Sequence, residues 1–186
     1  MNKKDLEKIV IVVDMINGFV NEGAMADPYI AHIIPEIKRL VEENKDGAIF
    51  IRDCHEEDAV EFKSYPVHCL KGTSESEVVD ELKVYTNNEN TFEKNSTSAM
   101  FAPGFVEYIE KINDLEEIVI GGCCTDICVL NLAIPLKNYL NQVDKKIAVI
   151  VPKSIVETYH AEGVHDREEY NEMAYKLMSQ SGIKVI

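Results

Sequence analysis

The sequence has no tryptophan and no apolar run near the length needed to cross a bilayer. Its opening MNKKDLEK runs straight into an apolar β-branched segment, with no signal-peptide core between them, so the expected location is cytoplasmic. Positive charge is scarce, with 19 Lys and Arg against 33 Asp and Glu and a formal charge of −14. That balance argues against nucleic acid or an anionic membrane as partner, because both need a cationic face. No G-x-G-x-x-G or P-loop pattern follows the first apolar run, which counts against a nucleotide-binding α/β domain. The five cysteines, an odd number, do not form a disulfide framework, and in a reducing compartment their thiols stay free for chemistry or metal. A small molecule is the partner that remains, and self-association is left open.

The 186 residues are enough for one substantial core, and no linker, repeat or low-complexity tract divides them, so one domain over 1–186 is expected. Continuous β-branched runs stand at Ile9 to Val13, Ala48 to Ile51, Ile118 to Ile120 and Ile147 to Val151, with Ile183 to Ile186 as a fifth candidate. Runs that do not alternate indicate strands covered on both faces, as in parallel sheets. Helical spacing recurs between them, in Ile30-Ile33-Ile37-Leu40, Val78-Val79-Leu82, Phe105-Tyr108-Ile109-Ile112 and Tyr170-Met173-Ala174-Leu177. The pattern predicts a three-layer α/β/α fold around a central, mostly parallel sheet of five to six strands. Residues 54–73 show little regular pattern, and loops of that length are usually functional.

In such sheets ligands bind beyond the carboxyl ends of the strands. The first run ends on Asp14, the second on Arg52, Asp53 and His55, and the third passes through Gly121-Gly122 to Cys128. The segment from Gly121 to Leu130 reads as strand, turn and helix, with Thr125 and Asp126 as N-cap candidates and Cys128 near the first helical turn. A helix N-terminus favours thiolate over thiol and offers amides for an oxyanion. Position alone leaves open a small buried core cysteine. Asp14 is the candidate proton acceptor and donor that a cysteine nucleophile needs, or else an ordinary turn aspartate. Lys94, in a polar segment with an aromatic anchor, would stabilise thiolate and carboxylate alike; read alone it is a surface lysine.

Asp53 and His55, two apart at a strand end, and His68 on the following loop supply mixed oxygen and nitrogen ligands for Zn²⁺, Mn²⁺ or Fe²⁺, with Glu61 as a candidate fourth. Three ligands leave an open position, as catalytic sites do. Two surface histidines in an acidic loop remain the alternative. His160 and His165 read as solvated loop residues before the last helix.

Taken in order, Val13-Asp14-Met15-Ile16-Asn17-Gly18-Phe19, Asp53-x-His55, Pro66 to Thr73, Phe92-x-Lys94 and Thr125-Asp126-Ile127-Cys128-Val129 resemble the isochorismatase-like cysteine hydrolases, and within them the nicotinamidases. The resemblance implies hydrolysis of nicotinamide to nicotinate and ammonia, a step of NAD salvage, by a triad of Asp14, Lys94 and Cys128 through a thioester on Cys128. It further implies a cis peptide between Cys123 and Cys124 and an oxyanion hole from the amides of Cys124 and Cys128. One divalent metal, zinc before iron or manganese, would sit on Asp53, His55 and His68, with Glu61 a further ligand in some members. Phe19, Tyr65 and Phe101 fall where aromatics line the ring pocket. The alternative within the family is a metal-independent isochorismatase-like or N-carbamoyl amide hydrolase.

Overall fold

A computed structural model describes residues 4–186. In chain order the strands are β1 (Lys4–Asp5), β2 (Lys8–Val13), β3 (Ala48–Asp53), β4 (Thr91–Lys94), β5 (Ile112–Asn113), β6 (Glu117–Cys123), β7 (Ala148–Val151), β8 (Val156–Glu157) and β9 (Lys184–Val185). The α-helices are α1 (Asn17–Val20), α2 (Ile34–Glu43), α3 (Asp80–Lys83), α4 (Phe105–Glu110), α5 (Leu130–Gln142) and α6 (Arg167–Gln180). The main sheet runs β4-β3-β2-β6-β7-β9, every neighbouring pair parallel, and β8 adds to the end of β6 beyond β7. Strands β1 and β5 form a separate parallel pair.

Alternation along β2 divides the interior in two, since successive side chains point to opposite faces. Ile9, Ile11 and Val13 pack with α4, α5 and α6 through Phe105, Leu132, Leu136, Ala174 and Met178. Val10 and Val12 pack on the other face with Ile33, Ile37, Val41 and Leu82. This is the three-layer arrangement that the unbroken apolar runs predict. The apolar pattern does not mark strand β4, because Thr91-Phe92-Glu93-Lys94 carries two charges in four residues, nor the two-residue β1, β5 and β8.

Two local features fit the sequence to this frame. Pro135 lies inside α5 and has no N–H to give the carbonyl four residues back; that carbonyl, Asn131 O, instead accepts the Ser98 hydroxyl at 2.7 Å. Gly122, at φ +118°, packs so tightly against β2 that a Cβ would stand 1.9 Å from Val13 O. The close approach lays the end of β6 beside Asp14. Among the described residues no helix is long and apolar enough to cross a membrane.

Candidate active site

The carboxyl ends of the central strands deliver the charged residues. Asp14 follows β2 directly in the left-handed conformation, φ 51°, a costly setting for a non-glycine residue that is found at functional sites. Asp53 ends β3, Lys94 ends β4, and the two are register partners across the strand pair. Cys124 follows β6 and leads into a wide π turn, Thr125–Val129, in which Cys124 O accepts from both Ile127 N and Val129 N. Single π turns of this kind recur at functional sites. The Cys123–Cys124 peptide is cis, as the resemblance implies.

Lys94 Nζ is the hub of the first cluster. It lies 2.5 Å from Asp53 Oδ1, 2.9 Å from Asp14 Oδ2 and 3.6 Å from Cys128 Sγ. All four side chains are buried. Burial drives the Asp14 carboxyl up to about 6 against the pull of Lys94. Burial opposes the charge on Lys94, but Asp14 and Asp53 together hold the ammonium well above its ordinary range. Burial also works against an ionised Asp53, yet Lys94 keeps it well below the usual carboxylate range.

At Cys128 the balance corrects the reading from sequence. A helix N-terminus predicts an activated thiolate, but burial raises the Cys128 pKa well above the ordinary thiol value against the pull of Lys94, and Asp14 and Asp53 add to the rise. The resting form is the thiol, and its proton must be removed as it attacks. Thr125 and Asp126 do not cap the helix either. Thr125 Oγ1 is buried without a partner, and the Asp126 carboxylate turns to Thr158 and His165.

The second cluster shares Asp53. One ligand atom from each of Asp53, His55 and His68 falls within 4.8 Å of the others, with Nε2 of His55 and His68 at 3.4 and 3.5 Å from Asp53 Oδ2. His68 Nδ1 is 2.8 Å from Pro66 O, a carbonyl that only accepts, so the ring hydrogen sits on Nδ1 and Nε2 presents its lone pair. His55 Nδ1 pairs at 2.8 Å with Asn95 Oδ1, leaving Nε2 buried and without a hydrogen-bond partner. Two imidazole lone pairs and a carboxylate oxygen facing one point repel one another unless a cation lies between them, so this donor set fits a divalent metal. Asn95 was not visible as a site residue in the sequence; its signal is only its adjacency to Lys94.

A narrow cavity reaches both clusters, lined by Phe19, Met25, Asp53, Glu61, Tyr65, His68, Thr97, Cys124, Ile127 and Cys128. Phe19 and Tyr65 line this cavity, their rings 5.7 and 6.3 Å from that of His68. Glu61 lines the same cavity but lies outside the three-residue donor cluster. Phe101 does not join the pocket: it is 81% exposed on the 3₁₀ turn Ala99–Phe101, whose inward position belongs to Ala99. The cavity opens into a vestibule of about 750 Å³ walled by Tyr29, Tyr65, Tyr159, Asp27 and Arg167. His160 is an exposed wall residue of that vestibule, whereas His165, expected in solvent, is buried.

A family model described as the isochorismatase domain matches residues 8–186. Nicotinamidase 1 of Arabidopsis thaliana is 31% identical over 140 residues, which cover 66% of this chain and 57% of that protein, so the chain spans less than two thirds of that relative. The "Uncharacterized isochorismatase family protein PncA" of Bacillus subtilis strain 168 is 29% identical over 172 residues, 85% of this chain and 90% of its own. Among solved structures, the pyrazinamidase of Pyrococcus horikoshii in complex with zinc has the same fold, with a TM-score of 0.74 at 23% identity over 97% of this chain and 99% of that one.

Proposed function

The chain belongs to the isochorismatase-domain family of hydrolases, and on that premise we propose that it is a metal-assisted cysteine amidase that converts nicotinamide to nicotinate and ammonia. The observation that carries this reading is the position of Lys94 Nζ, within 3.6 Å of the Cys128 sulfur and in ion pairs with both Asp14 and Asp53.

Asp14 is the base. It takes the Cys128 proton as Sγ attacks the carboxamide carbon, and with a pKa near 6 it is ionised at neutral pH yet basic enough to accept a proton. The ammonium of Lys94 balances the negative charge that then lies between Asp14, Asp53 and sulfur. The oxyanion is received by the amides of Cys124 and Cys128. Collapse of the tetrahedral adduct breaks the C–N bond, Asp14 returns its proton to the departing nitrogen, and ammonia leaves a thioester on Cys128. Water, deprotonated by Asp14, attacks the thioester; the second collapse breaks the C–S bond, Asp14 returns that proton to sulfur, and the acid leaves and ionises to nicotinate.

Asp53, His55 and His68 would hold the metal, and zinc suits two imidazoles with one carboxylate. When bound, it supplies a Lewis-acid anchor for the pyridine nitrogen that orients the ring. Phe19 and Tyr65 flank that ring. The product class places the reaction in pyridine-nucleotide salvage.

The test is ammonia release from nicotinamide, pyrazinamide and ureido compounds, with and without a chelator. Chelator-sensitive turnover of the pyridine and pyrazine amides supports the reading. Turnover of ureido compounds alone, indifferent to chelator, overturns it.

A further inference from the structure

The strap between β8 and α6 carries a buried polar pair that the proposed chemistry does not use. Glu162, Gly163 and Val164 are exposed, yet the next residue, His165, is only 4% exposed. Its ring is sandwiched between Tyr159 and Tyr170, with centroids 3.9 and 3.7 Å away. Nδ1 reaches Tyr159 O at 3.0 Å, and Nε2 reaches Asp126 Oδ2 at 2.9 Å; both partners only accept, so the ring makes both bonds when each nitrogen carries a hydrogen. The other oxygen of Asp126 accepts the Thr158 hydroxyl at 2.5 Å. Both oxygens of a buried carboxylate are therefore committed to one strap.

Asp126 lies in the π turn between Cys124 and Cys128. No side chain caps that turn. The turn is held by its own backbone bonds and by buried Val129, and Asp126 adds a side-chain tether to the strap. The strap has its own anchors: Arg167 bonds Thr158 O at 2.9 Å and pairs with Asp27, and His160 N bonds Asp27 Oδ2 at 3.0 Å. Loss of His165 would release one of the two Asp126 oxygens, leaving the Thr158 bond and the strap's own anchors in place.

We propose that His165 and Asp126 are positioning residues for the nucleophile, the clamped imidazole fixing the Asp126 carboxylate and through it the turn that presents Cys128 and the Cys124 amide. The proposal rests on Cys128 being the nucleophile of the amidase reading. A sub-ångström set of reacting atoms is what such a clamp protects, because displacements near 1 Å can cost on the order of a hundredfold in rate.

The test compares His165→Phe, which keeps a ring between the two tyrosines and removes both polar contacts, with His165→Gln, whose amide can still donate to Asp126. Three quantities are read: kcat and KM for nicotinamide, thermal midpoint, and the rate of Cys128 alkylation by iodoacetamide, mapped by peptide mass. H165F should lower kcat roughly tenfold or more with KM within about twofold, and slow the alkylation comparably, while H165Q recovers much of both. Wild-type kcat and alkylation in H165F overturn the proposal, and so does a loss confined to KM or a glutamine variant no better than phenylalanine. Should H165F not fold, Asp126→Ala, which removes both contacts, is compared with Asp126→Asn, whose amide can keep them, and the same outcomes decide. A wild-type enzyme that ignores nicotinamide would sink the substrate reading alone, since alkylation needs no substrate.

Discussion

Asp53 and Lys94 end adjacent parallel strands in register, and their ion pair joins two sites into one: Asp53 Oδ1 meets Lys94 Nζ at 2.5 Å while Oδ2 faces the imidazoles of His55 and His68. A single carboxylate thus touches both the lysine beside Cys128 and the two buried imidazoles. The consequences can be measured.

Replacing Lys94 by methionine keeps the stem volume and removes the charge. Asp14 and Asp53 are then buried without their cation, a loss of about 3–5 kcal/mol by the usual cost of breaking a buried pair. Ammonia release should fall by roughly a thousandfold or more, the scale at which removal of one member of a catalytic triad acts. Urea denaturation together with the turnover assay checks both. A variant with near wild-type turnover would remove Lys94 from the mechanism.

Cys128→Ala should abolish ammonia release and leave the fold and the bound metal intact, because the donor cluster does not include that sulfur. Circular dichroism and metal analysis provide the controls. Residual full activity would mean another thiol is the nucleophile.

Metal should be present at about one equivalent per chain and be lost from the His55→Ala, His68→Ala double variant. Asn95→Ala is the finer probe, since Asn95 Oδ1 orients the His55 ring. Removing such an outer partner typically weakens metal affinity about 10–100-fold, which competition with a chromogenic chelator would read. Affinity equal to wild type would show that the His55 tautomer is set some other way.

The pH dependence follows from Asp14. Its carboxyl, raised by burial to about 6, must be ionised to accept the Cys128 proton. Activity is therefore full above that value and lost as pH falls through it. The acid limb of kcat/KM should lie near 6, well above the usual carboxylate range. A limb near 4 would exclude a buried Asp14 as the base.

Gly122→Ala should be among the worst tolerated single changes. The added Cβ meets Val13 O at 1.9 Å, and the residue sits at positive φ, so strain and overlap combine to roughly 4 kcal/mol or more. Soluble yield and thermal midpoint decide it, with Gly163→Ala, where nothing lies within 4 Å of the new atom, as the comparison.

The apolar runs made β2, β3, β6 and β7 legible, because a strand covered on both faces must be hydrophobic throughout. Strand β4 was not, since Lys94 looks like a surface lysine until Asp14 and Asp53 are beside it. His165 misled for the same reason: a loop setting close to Glu162, Gly163 and Asp166 suggests solvent, and Tyr159 and Tyr170, packed on either side of its ring, make it an interior residue. Phe101 failed in the opposite sense, an aromatic that the turn leaves outside.

The order of residues along the chain determined which chemistry stands at which strand end: a carboxylate after the first central strand, a carboxylate and a histidine after the next, a cysteine past the paired glycines. Tertiary structure decided the charge on each of them. Whether Cys128 rests as thiol or thiolate, and whether Asp14 releases its proton near 4 or near 6, depends on burial and on ions brought from distant segments. Coulomb energy and desolvation are functions of distance in space, which a linear pattern does not contain.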